Sequence, residues 1–442
     1  MTSRKVLLKF IALMSLGSFI LLPTLPDQAA SLMKNPPGKK VLNNGLTLIC
    51  QKDTSSAITV LQILIKGGKG AEPEGKEGLA YLTTRLALEI SDQRKVQKMM
   101  RQASRIYSMG KADYSLINIM SLSENLEETL KIITKIMLKP LFSGMRIDLI
   151  KKQMLYQRKT QEDDSINVGH NLLLEKLFAS TRYGGSVLGS EESLKAIKKK
   201  NIKAFYKNYF TAGNMIVAVI SDLEEEVLNE ILNKYFTKFP SGKPPESKKN
   251  AASLPEEKNI FREKDTKQFF ISFAFSLPQI TSKNFTLAFL VENLLGKGVG
   301  SRLWALRSVE KLAYNVNSRA TQMKDGGMLE AYLETDKEKK DVALEALKKV
   351  LNELYENGIT EEELEVTKIN SKASFLRNNE TKETRTSNLV SFEALGLGCE
   401  FLSRFFREIE TISLEEINAY IKDILNPEKG VEVVVGPKEE TQ

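Results

Sequence analysis

The sequence predicts an α+β fold of two homologous halves, each an antiparallel sheet covered by helices, with the halves closing face to face. The first observation is an internal repeat: an amphipathic helix and an apolar β-branched run at 193–221 recur at 411–436. The second is a polar stretch at 241–258, rich in Pro, Ser, Lys and Glu, that separates the copies. The third is the grouping of strands with several helices without regular βαβ alternation, which favours helices layered on an antiparallel sheet.

The repeat can be followed along the chain. In both copies a helix leads through a turn into an apolar run, MIVAVI in the first and VEVVV in the second. The segments before them also correspond, because each has a short strand, a polar turn and a helix with apolar spacing of three and four. The matched positions include Ile202 and Ile417, Ala204 and Ala419, and Phe205 and Tyr420.

These patterns divide the chain into four parts. We expect a first half over residues 38–240, a flexible or semi-rigid linker over 241–258 and a second half over 259–438. Residues 1–31 have the features of a signal peptide: a basic start, an apolar run over 10–22 and small residues at the end. That run is too short to cross about 30 Å of hydrocarbon as a helix. The sequence therefore predicts an exported, periplasmic protein with no transmembrane helix after cleavage.

Composition excludes some classes of protein. The chain is 42% hydrophobic and 27% charged, which is typical of a globular protein. Its net charge of +8 is modest, and basic residues alternate with acidic ones instead of forming one stripe, so nucleic acid is not an expected partner. The two cysteines, Cys50 and Cys399, can be free and buried or can form a disulfide, and the sequence leaves both open.

The segment EGKEGLAYLTTRLALEI at 74–90 resembles the inverted zinc motif of the insulinase-like (pitrilysin) family of zinc peptidases. In that family the segment reads G-L-A-H-x-x-E-H, with both imidazoles on one helix face and the glutamate as general base. Here the two histidine positions are Tyr81 and Arg85, and the glutamate position is Thr84. The resemblance puts the third ligand position at Gln157, with Glu162 nearby.

Composition points to the same loss of zinc. The chain has one histidine, His170, and two cysteines far apart in sequence, whereas a catalytic zinc needs about three ligands drawn mostly from His and Cys. Arg85 would also hold a permanent cation where the metal should lie. His170 follows a helical pattern with apolar neighbours, so we expect a packing or surface residue; a Ser–His arrangement is the alternative. No metal or other cofactor is therefore expected in this chain.

The second half carries NLLGKGVGSRLWALRSVEKLAYNV at 293–316, which resembles the family's L-G-x-G-x-x-S-R-L segment and the residues after it. The resemblance implies that Arg307 and Tyr314, seven positions apart, reach the substrate at a zinc site. A guanidinium and a phenol can donate hydrogen bonds to the oxygen that becomes negative in peptide hydrolysis. The alternative is a solvated helix charge and an ordinary strand aromatic.

A glycine loop lies inside the same segment. It lacks the Gly-Lys-Ser/Thr ending of a nucleotide P-loop and follows a helix, so it does not predict phosphate binding. A helix-capping turn is one interpretation. The resemblance to the non-zinc subunit of heterodimeric family peptidases implies instead a mobile loop that contacts peptide. The residues concerned are Gly296, Gly298, Gly300 and Ser301.

The sequence therefore supports two hypotheses. In the first, the chain is the non-zinc subunit of a heterodimeric peptidase, in which a homologous zinc-bearing partner cleaves peptides and this chain supplies Arg307 and Tyr314. In the second, it is a catalytically inactive family member that binds peptides or has a structural role. The first hypothesis rests on the replacement of the zinc residues beside a retained Arg/Tyr segment, whereas under the second the retained pair is a remnant of ancestry or a packing feature.

Overall fold

The computed structural model describes residues 35–243, 245–246 and 249–438, and the signal peptide predicted at 1–31 lies outside them. The first half forms a six-stranded sheet in the order β1-β2-β6-β3-β5-β4, and the second a five-stranded sheet in the order β7-β11-β8-β10-β9. The first sheet contains β1 (Gly38–Val41), β2 (Thr47–Lys52), β3 (Ile58–Ile65), β4 (Arg105–Gly110), β5 (Ser115–Leu122) and β6 (Met215–Ser221). The second contains β7 (Asn259–Glu263), β8 (Gln268–Leu277), β9 (Asn315–Met323), β10 (Gly326–Asp336) and β11 (Val431–Gly436).

The strand orders confirm the duplicated α+β fold. The series β2-β6-β3-β5-β4 is repeated as β7-β11-β8-β10-β9, and β1 is an addition to the first half. In each sheet one pair is parallel, β2 with β6 and β7 with β11, whereas the other pairs are antiparallel. The sequence predicted antiparallel sheets, and the structure adds this one parallel pair to each. The parallel pair arises because the last strand of each half lies between two consecutive strands of opposite direction, β2 and β3 or β7 and β8, so it is antiparallel to one and parallel to the other.

Helices cover both sheets. The first half contains α1 (Leu79–Ala87), α2 (Gln93–Arg101), α3 (Leu126–Leu138), α4 (Gly144–Glu162), α5 (Ser165–Leu177), α6 (Glu191–Ala196), α7 (Lys199–Tyr209) and α8 (Glu225–Phe236). The second contains α9 (Ser282–Gly296), α10 (Trp304–Ser308), α11 (Lys340–Asn357), α12 (Glu361–Arg377), α13 (Lys382–Ala394), α14 (Phe401–Thr411) and α15 (Leu414–Ile424). Within the described ranges, no helix is long and apolar enough to cross a membrane.

The two halves are joined by an exchange of equivalent helices. Helix α5 is the third helix after β5, and α13 is the third after β10. Each begins at a side-chain cap, Asp164 for α5 and Thr381 for α13. Helix α5 packs on β8 and β11 of the second sheet, whereas α13 packs on β3 and β6 of the first. The halves therefore close by placing a helix of one on the sheet of the other, and side chains fill the contact.

The predicted linker is held more firmly than its composition suggests. Asn250 is buried, and its backbone N–H donates to Asp325 of the second half at 2.9 Å. Its side-chain oxygen accepts from the backbone N–H of Arg182 at 3.1 Å, and Ser253 N–H donates to Leu177 O at 2.9 Å. This part of the linker therefore lies against both halves.

Candidate functional site

The degenerate zinc positions lie together on α1 and α4. Tyr81 and Thr84 are buried, and the Thr84 hydroxyl donates to the carbonyl of Ala80, one turn earlier, at 2.9 Å. The Arg85 guanidinium donates to Gln153 Oε1 on α4 at 2.6 Å. Gln157 lies one turn beyond Gln153 on the same helix. Gln157 therefore lies on the helix that contacts Arg85, and its assignment as the third ligand position stays a prediction.

These groups do not fit a zinc ion. They offer a phenol, a hydroxyl, an amide and a guanidinium, whereas zinc sites in proteins use thiolate, imidazole or carboxylate. The Arg85 guanidinium lies 5.9 Å from the centroid of the Tyr81 ring and keeps its positive charge at any ordinary pH. A dication at this position would be repelled by that charge.

The buried carboxylate of Glu72 stabilises the start of α1. This residue was not among those predicted from the sequence. The Glu72 carboxylate accepts from the backbone N–H groups of Gly78 at 3.0 Å and Ala80 at 2.8 Å. Gly78 has φ of +92°, and a Cβ there would lie 2.8 Å from the carbonyl oxygen of Leu188, so this turn requires glycine. Burial raises the pKa of Glu72 to about 8, against the opposing effect of Lys69.

A cleft of about 410 Å³ opens beside Tyr81 and Arg85. Met99 on α2 and Tyr107 on β4 are among the residues that line it. Strand β4 is an edge of the first sheet, so one side of its backbone has no neighbouring strand among the described residues. Edge strands accept extended peptides by hydrogen bonding to their backbone. The cleft therefore lies against a strand whose outer side is unpaired among the described residues.

Arg307 and Tyr314 are on the surface of the second half. Arg307 is exposed on α10, and its guanidinium lies 5.0 Å from the centroid of the Trp304 ring. Tyr314 is 57% exposed, and its hydroxyl donates to Asp336 Oδ2 at 2.9 Å. That hydrogen bond raises the pKa of Tyr314. Its backbone N–H donates to Glu334 O at 3.0 Å, which continues the pairing of β9 with β10.

The structure does not bring this pair to α1 of the same chain. The hydrogen-bond partners of Tyr314 and the ring beneath Arg307 all belong to the second half. Both side chains remain available to a molecule outside the chain, because neither is buried.

The glycine loop has two kinds of glycine. Gly296, at the end of α9, is buried against β9, and a Cβ there would lie 2.3 Å from Ser318 N. This glycine permits close packing of helix and strand. Gly298 and Gly300 have φ of +84° and +90° with open space around the Cβ position, so they form the turn itself. Ser301 is buried, and its hydroxyl donates to Gly298 O at 2.7 Å.

His170 takes part in a contact between the halves. Its Nδ1 lies 2.8 Å from Glu330 Oε2, and Glu330 is fully buried on β10. Ser272 donates to the other carboxylate oxygen at 3.0 Å. Both groups therefore bind the carboxylate and not each other, which is unlike a Ser–His pair for nucleophilic catalysis. This agrees with the expected packing role.

Another group of possible ligands occurs at Glu393, Cys399 and Glu400, whose ligand atoms lie within 4.8 Å of one another. The Lys39 ammonium already pairs with Glu393 at 2.6 Å. Burial raises the pKa of Cys399 to about 11, so its sulfur is a thiol at neutral pH. Cys50 and Cys399 are both free, and Cys50 is half-buried. We assign no metal to this group.

The chain is similar in sequence to known proteins of one family. The family model described as Insulinase (Peptidase family M16) matches residues 47–191, and that described as Peptidase M16 inactive domain matches residues 196–371. The non-peptidase homolog YmxG of Helicobacter pylori is 28% identical over 312 residues, which are 69% of this chain and 71% of that protein. The Bacillus subtilis protein named uncharacterized zinc protease YmxG is 20% identical over 400 residues, covering 88% of this chain and 96% of its own.

A solved structure has the same fold. The Pseudomonas fluorescens structure described as a peptidase M16 inactive domain has a TM-score of 0.82 and 22% identity, covering 92% of this chain and 99% of that chain. The two family models follow one another almost without a gap from residue 47 to residue 371. The chain therefore belongs to the insulinase family of peptidases, peptidase family M16.

Proposed function

We propose that this chain is a member of the family without its own zinc, and that it serves as the non-zinc subunit of a two-chain peptidase. In that assembly a homologous zinc-bearing chain cleaves peptides, and this chain contributes Arg307 and Tyr314 to the reacting carbonyl. The assembly would be periplasmic if residues 1–31 direct export.

The observation that carries the proposal is the contrast between two sets of side chains. At α1 the groups are directed within the chain, since Thr84 bonds to Ala80 and Arg85 to Gln153. Arg307 and Tyr314 are exposed. The name of the Helicobacter pylori relative, a non-peptidase homolog, supports the absence of activity in the isolated chain.

The test of the catalytic role is co-expression with a homologue that bears an intact zinc motif, followed by peptide cleavage assays. Removing one hydrogen-bond donor to an oxyanion costs about 10²–10³ in rate. We expect Arg307→Ala and Tyr314→Phe each to lower kcat/KM by about 100-fold, whereas Arg407→Ala, at an exposed site on α14, should leave it unchanged. Unaltered kcat/KM in both variants would remove the catalytic role.

A second candidate is a peptide-binding subunit with no part in chemistry. The observation that favours it is the open edge of β4 beside the 410 Å³ cleft. The two candidates differ in the same assay. A binding subunit would lose peptide affinity when Ser108 on β4 is replaced by proline, which removes a backbone donor, but would keep activity in Arg307→Ala.

A further inference from the structure

A second cleft, of about 550 Å³, lies between the two halves, and Glu77, two residues before α1, is among the residues that line it. The first half lines it with Lys69, the end of α4, one side of α5 and the loop at 184–190. The second half closes it with residues 262–264 at the end of β7. Volumes of about 300–1,000 Å³ are typical of small-molecule sites.

Lys69 is the unusual residue in this cleft. Its side chain is only 4% exposed, yet its ammonium makes no hydrogen bond or ion pair of 4 Å or less with any residue in the described part of the chain. Burial lowers the pKa of Lys69, although Glu72, Glu77 and Glu175 act in the opposite direction. Because Lys69 lines the cleft, its ammonium can donate a charge-assisted hydrogen bond to a ligand anion bound there.

Apart from the engaged Arg158 and Glu162, the cleft has equal numbers of positive and negative side chains. Arg158 is already engaged, with Glu162 at 2.9 Å and with Gly189 O at 2.7 Å. The charges that remain are cations at Lys69, Arg262 and Lys264 and carboxylates at Glu77, Glu175 and Glu263. A simple anion would meet as many repelling as attracting groups, whereas a molecule with both charges would meet partners for each.

We propose that this cleft binds the zwitterionic ends of a short peptide, with the peptide carboxylate on Lys69 and its terminal ammonium near Glu77 and Glu175. The site needs neither a metal nor Arg307 or Tyr314. It is therefore independent of the proposed peptidase role, and either proposal can fail without the other.

Calorimetry on the full chain tests the ligand class, with trialanine as the probe. We expect trialanine to bind, and we expect the C-terminal amide and the N-acetylated form each to bind at least about 10-fold more weakly, since each has lost one charge. Acetate should compete poorly. Equal binding of the amide, equal competition by acetate, or no binding of trialanine would each overturn the proposal.

Two variants test the residues. Lys69→Met keeps the length of the side chain, and removal of a buried charge should not impair folding, so trialanine binding should fall about 10-fold or more. Glu175→Gln, at an exposed position, should weaken trialanine but leave the N-acetylated form unaffected. Lys203→Met, on the exposed face of α7, is the matched control and should bind as the unmodified chain does. Unchanged affinity in both Lys69→Met and Glu175→Gln would contradict the assignment.

Discussion

Helices α5 and α13 have equivalent places in the two halves, and each lies on the sheet of the other half, but their closest contacts with that sheet differ. Helix α5 makes a close apolar contact, with Gly169 against the ring of Phe270 and leucines in the core behind it. Helix α13 adds charged contacts to its buried Leu389 and Val390, since the buried Lys382 donates to three backbone carbonyls of the first half. Duplication has preserved the geometry of the exchange while the residues that stabilise it have diverged.

A polar network extends the α13 contact. Arg385 pairs with Asp53, and Glu383 accepts from Tyr107 and, at 3.1 Å, from Asn118. Tyr107 also lines the cleft beside Tyr81 and Arg85. The contact between halves thus reaches the edge strand of the proposed peptide face, whereas the α5 contact lies beside the cleft that contains Lys69.

The largest effect is expected at Lys382. Its ammonium donates to the carbonyls of Asp53, Ser56 and Ile58 at 2.7, 2.8 and 2.9 Å. Lys382→Met leaves these acceptors without their charged donor, so the free energy of unfolding should fall by about 3 kcal/mol. Urea denaturation measures this, with Lys203→Met as the surface control. A loss below about 0.5 kcal/mol would show that charges do not hold α13.

The second largest effect on stability is expected at the apolar contact of α5. A Cβ at Gly169 would lie 2.1 Å from Phe270, so Gly169→Ala should destabilise by about 2 kcal/mol through overpacking, despite the higher helix propensity of alanine. Gly144→Ala, on α4, is the matched control because nothing lies within 4 Å of its Cβ position. Gly144→Ala should leave the free energy of unfolding unchanged or raise it slightly. Equal effects in the two variants would mean that the close approach at Phe270 is unimportant.

The groups that cap the equivalent helices α1 and α9 differ as well. Backbone N–H groups at the start of α1 donate to the buried Glu72 carboxylate, whereas one at the start of α9 donates to the Thr281 hydroxyl. Folded Glu72 keeps its proton to about pH 8, but the unfolded chain releases it near its ordinary pKa of 4.5. The folded state binds more protons between these values, so the free energy of unfolding should decrease as pH rises through that window. Glu72→Gln should reduce the decrease by at least about 1.4 kcal/mol. Parallel pH profiles for the two proteins would contradict the assignment.

The smallest effect is expected at His170. His170→Leu removes the partner of Glu330 Oε2 while Ser272 still donates to Oε1, so a loss of about 1 kcal/mol is expected. His170→Gln retains a donor and should recover most of it. If the two variants are equally destabilised, the contact contributes by packing and not by its hydrogen bond.

The duplicated fold and the loss of the zinc residues could be predicted, because the first follows from a sequence repeat and the second from composition. Ile202 and Ile417, matched by pattern, are both fully buried, and Ala204 and Ala419 are both exposed. Replacement of the zinc residues was also predictable, since one histidine in 442 residues is a matter of counting. The exchange of α5 and α13 was not, because helical periodicity shows which face is apolar but not which sheet covers it.

The missed site features depend on tertiary burial. Nothing in the sequence distinguishes Lys69 and Glu72 from solvated charges, and only the folded chain shows that both are nearly enclosed. Gly169 gave a signal that the sequence reading did not use, because a glycine within a helix often marks a close approach. The spacing of Arg307 and Tyr314 was readable, but the surface that each presents required the fold.

The central claim is that α1 cannot hold a catalytic zinc, and metal analysis of the purified chain tests it most directly. A zinc-bearing homologue prepared in the same buffer is the positive control. We expect well under about 0.1 zinc per chain after dialysis against zinc, because the ligand positions offer no thiolate, imidazole or carboxylate. One zinc per chain, lost when Tyr81 and Arg85 are both replaced by alanine, would contradict it.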